Sequence, residues 1–182
     1  AISPDGKEVA FASGSIRALH LVVKGTVSAA GGGEIRLADT TLRREMFPSW
    51  SPEGDFVRFR DCRAGVCEWN ETGKLGGAVR PAALPRRAAS ANPVAWSPDG
   101  ARVAFVAADS IFVASVGDTT VHLVAVHTEN FWLLHSLVWS PDGRLIAYVN
   151  GNGQWLTSGN VAPSSIWVVS SSGGEPRRIT TD

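Results

Sequence analysis

The chain has 182 residues, 44% hydrophobic and 19% charged, a balance ordinary for a soluble globular protein with a sizeable core and unlike that of a disordered chain. Seventeen basic residues match seventeen acidic ones, so no long-range field draws in nucleic acid or an anionic membrane surface, and neither is expected as a partner. The longest apolar stretches, such as 19–23 and 166–169, fall far short of the roughly 20 residues that cross a bilayer, so no membrane insertion is expected.

The N-terminal Ala1-Ile2-Ser3-Pro4-Asp5-Gly6 has neither the basic start nor the apolar run of a signal peptide, and a processed or excised fragment would begin in the same way. Its last four residues return as Ser51-Pro52-Glu53-Gly54, Ser97-Pro98-Asp99-Gly100 and Ser140-Pro141-Asp142-Gly143, successive copies starting 48, 46 and 43 residues apart. Proline presets φ for the second turn position, the carboxylate can accept from a nearby backbone N–H, and glycine accepts positive φ, so each copy is a tight reversal. A fixed period of this length is the mark of a repeat architecture.

The first repeat (about 1–45) places Val9 and Phe11 on the strand after its turn, a third strand at 19–23 and a fourth from Gly32 to Ala38. The second (46–91) has Trp50 before the turn, Val57 and Phe59 after it, a third strand at 66–69 and a fourth at 78–84. In the third (92–135), Val94-Ala95-Trp96 leads in, Val103 and Phe105 follow, and strands fall at 111–113 and 121–126. The fourth (136–182) repeats this with Leu137-Val138-Trp139, Ile146 and Tyr148, a strand at 166–169 and a last one within 173–180. Aromatic and β-branched residues two apart fit a pleated strand. The positions between them hold Ala10, Ala104 and Ala147, so these strands are expected to be covered on both faces. Four short strands cannot bury their faces alone, and stacking repeat against repeat solves this.

Trp-Ser-Pro-Asp-Gly followed by an Ile/Val-Ala-Phe strand resembles the WD-like repeat of TolB-like β-propellers. The same repeat occurs in tricorn-like proteases, in the propeller of prolyl oligopeptidases and in oligogalacturonate-type lyases. The resemblance runs over nearly the whole chain and implies an all-β propeller segment, residues 1–182, of four-stranded antiparallel blades. Such propellers have six or seven blades, so the chain reads as a window from a longer array, with its exposed blade edges closed into a small ring or paired with a second copy. A TolB-like protein would be periplasmic or extracellular.

Candidate sites are few. Asp5, Glu53, Asp99 and Asp142 are explained by turn chemistry. Cys62 and Cys67 flank a short hairpin and are either a cross-strand disulfide or two free thiols, because Cys-x4-Cys lacks the four ligands of a closed zinc site. His20, His122, His127 and His135 do not recur at one strand position, as a channel metal would require. No Gly-x-Ser-x-Gly elbow and no phosphate-binding loop is present, and Ser13-Gly14-Ser15 and Ser158-Gly159 read as hairpin turns. No catalytic residue, metal or cofactor is assigned.

Loops that join one repeat to the next carry Arg43 and Arg44, Arg86 and Arg87, and Phe131 and Trp132, which together would make a protein-binding surface with a taste for acidic and apolar groups. The alternative is that the arginines are solvated and the aromatic pair packs over the fourth repeat. Arg58 occupies the place of Ala10, Ala104 and Ala147 and needs a partner, with Asp61, Glu68 or an acidic residue of a neighbouring blade as candidates, or an exit to water. The expected function is a non-enzymatic binding or scaffold propeller. The alternatives are an access-filtering propeller of a prolyl-oligopeptidase-like hydrolase and a propeller fragment with no ligand of its own.

Overall fold

A computed structural model of the chain describes residues 1–15, 18–25, 34–42, 47–63, 66–127, 134–151 and 164–180. Every element in it is a strand, and among the described residues no helix is long and apolar enough to cross a membrane. The chain divides into two compact units, Ala1–Ala83 and Leu84–Asp182, each holding two of the repeats.

In the first unit, β1 (Glu8–Ser15), β2 (Ala18–Gly25) and β3 (Glu34–Leu42) form a meander, and Ile2 bridges to Val9 on the other edge of β1. The second sheet contains β4 (Ser49–Trp50), β5 (Phe56–Arg63), β6 (Val66–Gly73) and β7 (Arg80–Pro81). Ser13, Gly14 and Ser15 lie in β1, paired with His20, Leu19 and Ala18, and not in a turn as their composition suggested. The register carries the strand through them to the hairpin end.

The second unit repeats the plan with β8 (Val94–Trp96), β9 (Arg102–Ala107), β10 (Ser110–Ser115) and β11 (Val121–Val126), then β12 (Leu134–Trp139), β13 (Leu145–Asn150), β14 (Ser165–Ser170) and β15 (Arg177–Arg178). All pairings are antiparallel between sequence neighbours.

Each turn is built as its residues dictate. Ser3 Oγ donates to Asp5 Oδ1 at 2.7 Å, Asp5 Oδ1 accepts from the Lys7 N–H at 3.1 Å, and Ser3 Oγ accepts from the Glu8 N–H at 2.9 Å. The same set recurs around Asp99 and Asp142. The closing glycines, Gly6, Gly54, Gly100 and Gly143, have φ between 67° and 75°, a region closed to most side chains. The seryl hydroxyl first, and the backbone N–H next, hold the carboxyls of Asp5, Asp99 and Asp142 below the usual aspartate range.

Neighbouring sheets meet face to face. Ile146, Tyr148, Trp139 and Val169 on one side of the fourth sheet are buried with Ala104, Ile111 and Val113 of the third, Ala95 packing at the margin. The Trp139 indole N–H donates to the Ala95 carbonyl at 3.0 Å, and in the first unit Trp50 donates to the equivalent Ala1 carbonyl at 3.2 Å. Arg102 straddles the seam of the second unit. Its guanidinium lies 4.8 Å from the centre of the Trp139 ring and donates to the Gly143 carbonyl at 2.8 Å.

Two outcomes follow from these contacts. Trp139→Phe keeps most of the buried ring but loses the indole hydrogen bond, so urea denaturation is expected to show a loss of about 1 kcal/mol. The three aspartates have carboxyls depressed in the folded state, so their contribution is fully present above the unfolded value and is lost as pH falls through the folded one. The denaturation midpoint is expected to drop below about pH 5. The triple variant Asp5→Asn/Asp99→Asn/Asp142→Asn, whose amides still accept hydrogen bonds but do not titrate, is expected to show a shallower drop over the same range.

Candidate functional site

Of the six loop residues expected to form a binding surface, the structure describes Arg86 and Arg87, whereas Arg43, Arg44, Phe131 and Trp132 lie outside the described residues. Arg86 and Arg87 stand on a turn closed by Ala88 N–H to the Pro85 carbonyl at 2.8 Å. Ala88 is fully buried against Val103, Phe105 and Ala114, with Leu84 and Ala91 packed beside it. Small apolar residues thus anchor the turn while both arginines remain exposed.

In the first unit, Cys62 and Cys67 are register partners and are joined by a disulfide. Beside them, Asp61, Val66, Glu68, Asn70 and Val79 line an open cleft of about 260 Å³. Asp61 and Glu68 are paired across β5 and β6, so two carboxyl groups share one side of this cleft.

The opposite side of the same sheet resolves the irregularity at Arg58. Its partner is Glu71, directly across the strand pair, with Nε 3.4 Å from Oε2, and Arg80 donates to the other oxygen of Glu71 from Nε at 2.9 Å. The Arg80 guanidinium also lies 4.8 Å from the centre of the Phe56 ring. Asp61 and Glu68, the partners suggested by proximity in sequence, stand an odd number of positions from Arg58 and from Glu71. The pleat therefore sends them to the other face.

In the second unit, a polar group sits at the place equivalent to Asp61, ten residues beyond the turn serine. Asn150 Nδ2 lies 3.4 Å from His127 Nδ1, and both residues are buried. The His127 ring meets Tyr148 and Trp167 edge-on at 5.5 and 4.7 Å between centroids. Tyr148 Oη, Asn150 Oδ1 and Trp167 Nε1 are buried without a hydrogen-bond partner among the described residues, and burial pushes the tyrosine hydroxyl up, so it stays neutral. His122 is exposed on β11 and His135 is half-buried on β12, while the side chain of His20 lies outside the described residues. Among the described residues, no three His, Cys, Asp or Glu side chains gather as a metal site would need.

The strand order, the turn chemistry and the face-to-face packing define a β-propeller fold. The particular likeness is to TolB. Over 97% of this chain, the structure matches TolB from Acinetobacter baumannii with a TM-score of 0.65 and 18% identity, covering 43% of that chain. A protein assigned as TolB from Agrobacterium tumefaciens matches over 97% of this chain and 62% of its own, with a TM-score of 0.68 and 18% identity. Puromycin hydrolase matches over 97% of this chain and 27% of its own, with a TM-score of 0.65 and 14% identity. The chain thus spans about half the length of the TolB structures, and at these identities the likeness shows the fold. No family model matches the sequence, and no curated protein does.

The ion triad carries a measurable consequence. Glu71→Gln removes the carboxylate that Arg58 faces across the strand pair in a largely buried setting, and a loss of about 3–5 kcal/mol is expected in chemical denaturation. The double variant Arg58→Ala/Glu71→Gln, which restores the alanine of the other repeats, is expected to lose less than the single one.

Proposed function

We propose that the chain is a non-enzymatic binding propeller segment that uses its inter-repeat loops to hold another protein. The carrying observation is the turn at Arg86 and Arg87, where a buried alanine fixes the backbone and two exposed guanidinium groups are offered side by side. Arginine forks favour carboxylates bidentately, so the partner segment is acidic with apolar residues beside it. The likeness to TolB runs over nearly the whole chain and supports reading the segment as a rigid scaffold that presents loops.

A second reading is favoured by the likeness to puromycin hydrolase. In it the segment filters access to a catalytic domain elsewhere in a longer protein, and the full-length gene would then encode a Gly-x-Ser-x-Gly elbow followed by a histidine beyond this segment.

Binding to an array of acidic-apolar peptides separates the two. Under the binding reading, the chain retains a subset of such peptides in a salt-sensitive manner, and Arg86→Glu/Arg87→Glu weakens them by about tenfold or more with an unchanged melting temperature. Equal retention by the charge-reversed variant would remove the loop from the site.

A further inference from the structure

At one rung the third and fourth sheets are alike in backbone and unlike in chemistry. In the third sheet, Phe105 pairs with Phe112, their rings stacked with centroids 5.6 Å apart, and Ala107 stands two positions further along β9. Phe105 is fully buried, so the fold fills this place with hydrocarbon alone. In the fourth sheet the same three places hold Tyr148, Trp167 and Asn150. Each adds a polar atom to a buried setting, for Tyr148 is 1% exposed, Asn150 is 7% exposed and the indole nitrogen of Trp167 is buried.

The added atoms are not satisfied by the chain. Among the described residues, Tyr148 Oη, Trp167 Nε1 and Asn150 Oδ1 have no hydrogen-bond partner. A buried polar atom left in this way costs more than carbon in the same place, and it is uncommon enough to ask for a reason. These three share one face of the sheet around the ring of His127, so they form a group and not scattered exceptions.

The donor pattern indicates what would satisfy them. Trp167 Nε1 only donates and Tyr148 Oη does either, while Asn150 has its amide nitrogen turned to His127 Nδ1, 3.4 Å away, and is left with an acceptor oxygen. The complement is a group that accepts at one atom and donates at another. Successive same-face positions lie about 7 Å apart along a strand, so a planar carboxamide with its oxygen and nitrogen on separate bonds bridges them where a single hydroxyl does not. An ionised group is disfavoured, since Tyr148, Trp167 and Asn150 are uncharged and the charges at the margin are of opposite sign. Those are Arg178, exposed opposite Trp167, and Asp109, whose carboxylate accepts from Ser110 Oγ at 2.8 Å and whose carbonyl accepts from the His127 N–H.

We propose that this end of the seam between the third and fourth sheets is a binding pocket for a primary carboxamide, the group that ends a glutamine or asparagine side chain. Trp167 and Tyr148 donate to its carbonyl, and Asn150 accepts from its amide N–H. His127 holds the Asn150 amide in the orientation that this requires. The pocket is separate from the turn at Arg86 and Arg87, which is read as a carboxylate site, so either reading can fail without the other.

In NMR spectra of the intact chain, the Trp167 indole N–H, identified by its loss in Trp167→Phe, is expected to shift saturably on addition of N-acetylglutamine N′-methylamide, with a dissociation constant on the order of millimolar for so small a ligand. The glutamate and alanine counterparts of this probe are expected to bind at least about fivefold more weakly. Propionamide binding as well as the glutamine probe assigns the pocket to free amides, and propionamide binding more weakly assigns it to a peptide side chain. Tyr148→Phe installs the residue type of the third repeat, so it is expected to melt at or above the wild-type temperature while weakening the glutamine probe about fivefold. Asn150→Ala is expected to weaken it likewise. The proposal is overturned by the absence of a saturable shift, by equal binding of the glutamate or alanine probe, by a Tyr148→Phe variant that binds as the wild type does, or by a long-lived water at the indole N–H that no carboxamide displaces.

Discussion

Everything in this fold depends on flat sheet faces covering one another. A single sheet of four short strands leaves half its side chains against water, and burial of one aromatic ring of 150–250 Å² contributes on the order of 4–6 kcal/mol at about 25 cal/mol per Å². The hydrogen bond from the Trp139 indole to the Ala95 carbonyl adds about 1 kcal/mol. Burial therefore decides whether the sheets meet, and the hydrogen bond decides how. The same indole-to-carbonyl contact at Trp50 and Ala1 fixes the same stacking in the first unit. Large residues on one face are matched by alanine and valine on the other, which lets two pleated surfaces approach without voids.

Where the pattern is broken, the chain supplies compensation locally. Arg58 brings a guanidinium into a row that is otherwise small and apolar, and the strand pair answers with Glu71 directly opposite and Arg80 on the next strand. Both carboxylate oxygens of Glu71 are thereby engaged within this one sheet. It also makes the second sheet's face chemically different from those of the third and fourth. On the other side, Asp61 and Asn150 put polar groups at equivalent ends of the two units, one lining a cleft and the other against a buried histidine. Recurring polarity at one end of a repeat is where a repeat protein has room to vary a site without disturbing its core.

The turns and most of the strands were legible in the sequence because their causes are local. Proline, aspartate and glycine act within four residues, and the aromatic two positions after a β-branched residue marks the buried side of the strand that follows. The partner of Arg58 was not legible by the same means. Finding Glu71 requires the register of β5 and β6, and this depends on how the chain reverses between Arg63 and Val66. Counting parity from Cys62 and Cys67, had they been taken as paired, would have placed Arg58 opposite Glu71. His127 shows another limit, since it stands just beyond the last residue of β11 and nothing nearby in sequence marks it for burial. Its burial comes from Tyr148 and Trp167 of the next sheet, more than twenty residues away in the chain. Ser13-Gly14-Ser15 misled for the opposite reason, as a composition typical of turns was overridden by pairing with 18–20.

The differences among the receiving faces bear on which surfaces can meet. An apolar face has no group to offer the Arg58–Glu71–Arg80 network, and stacking there would desolvate charges without replacing their interactions. The third sheet's face is already occupied by the fourth. Charge at one repeat and its absence at another thus give a set of similar sheets a preferred order of contact, which identical repeats would lack.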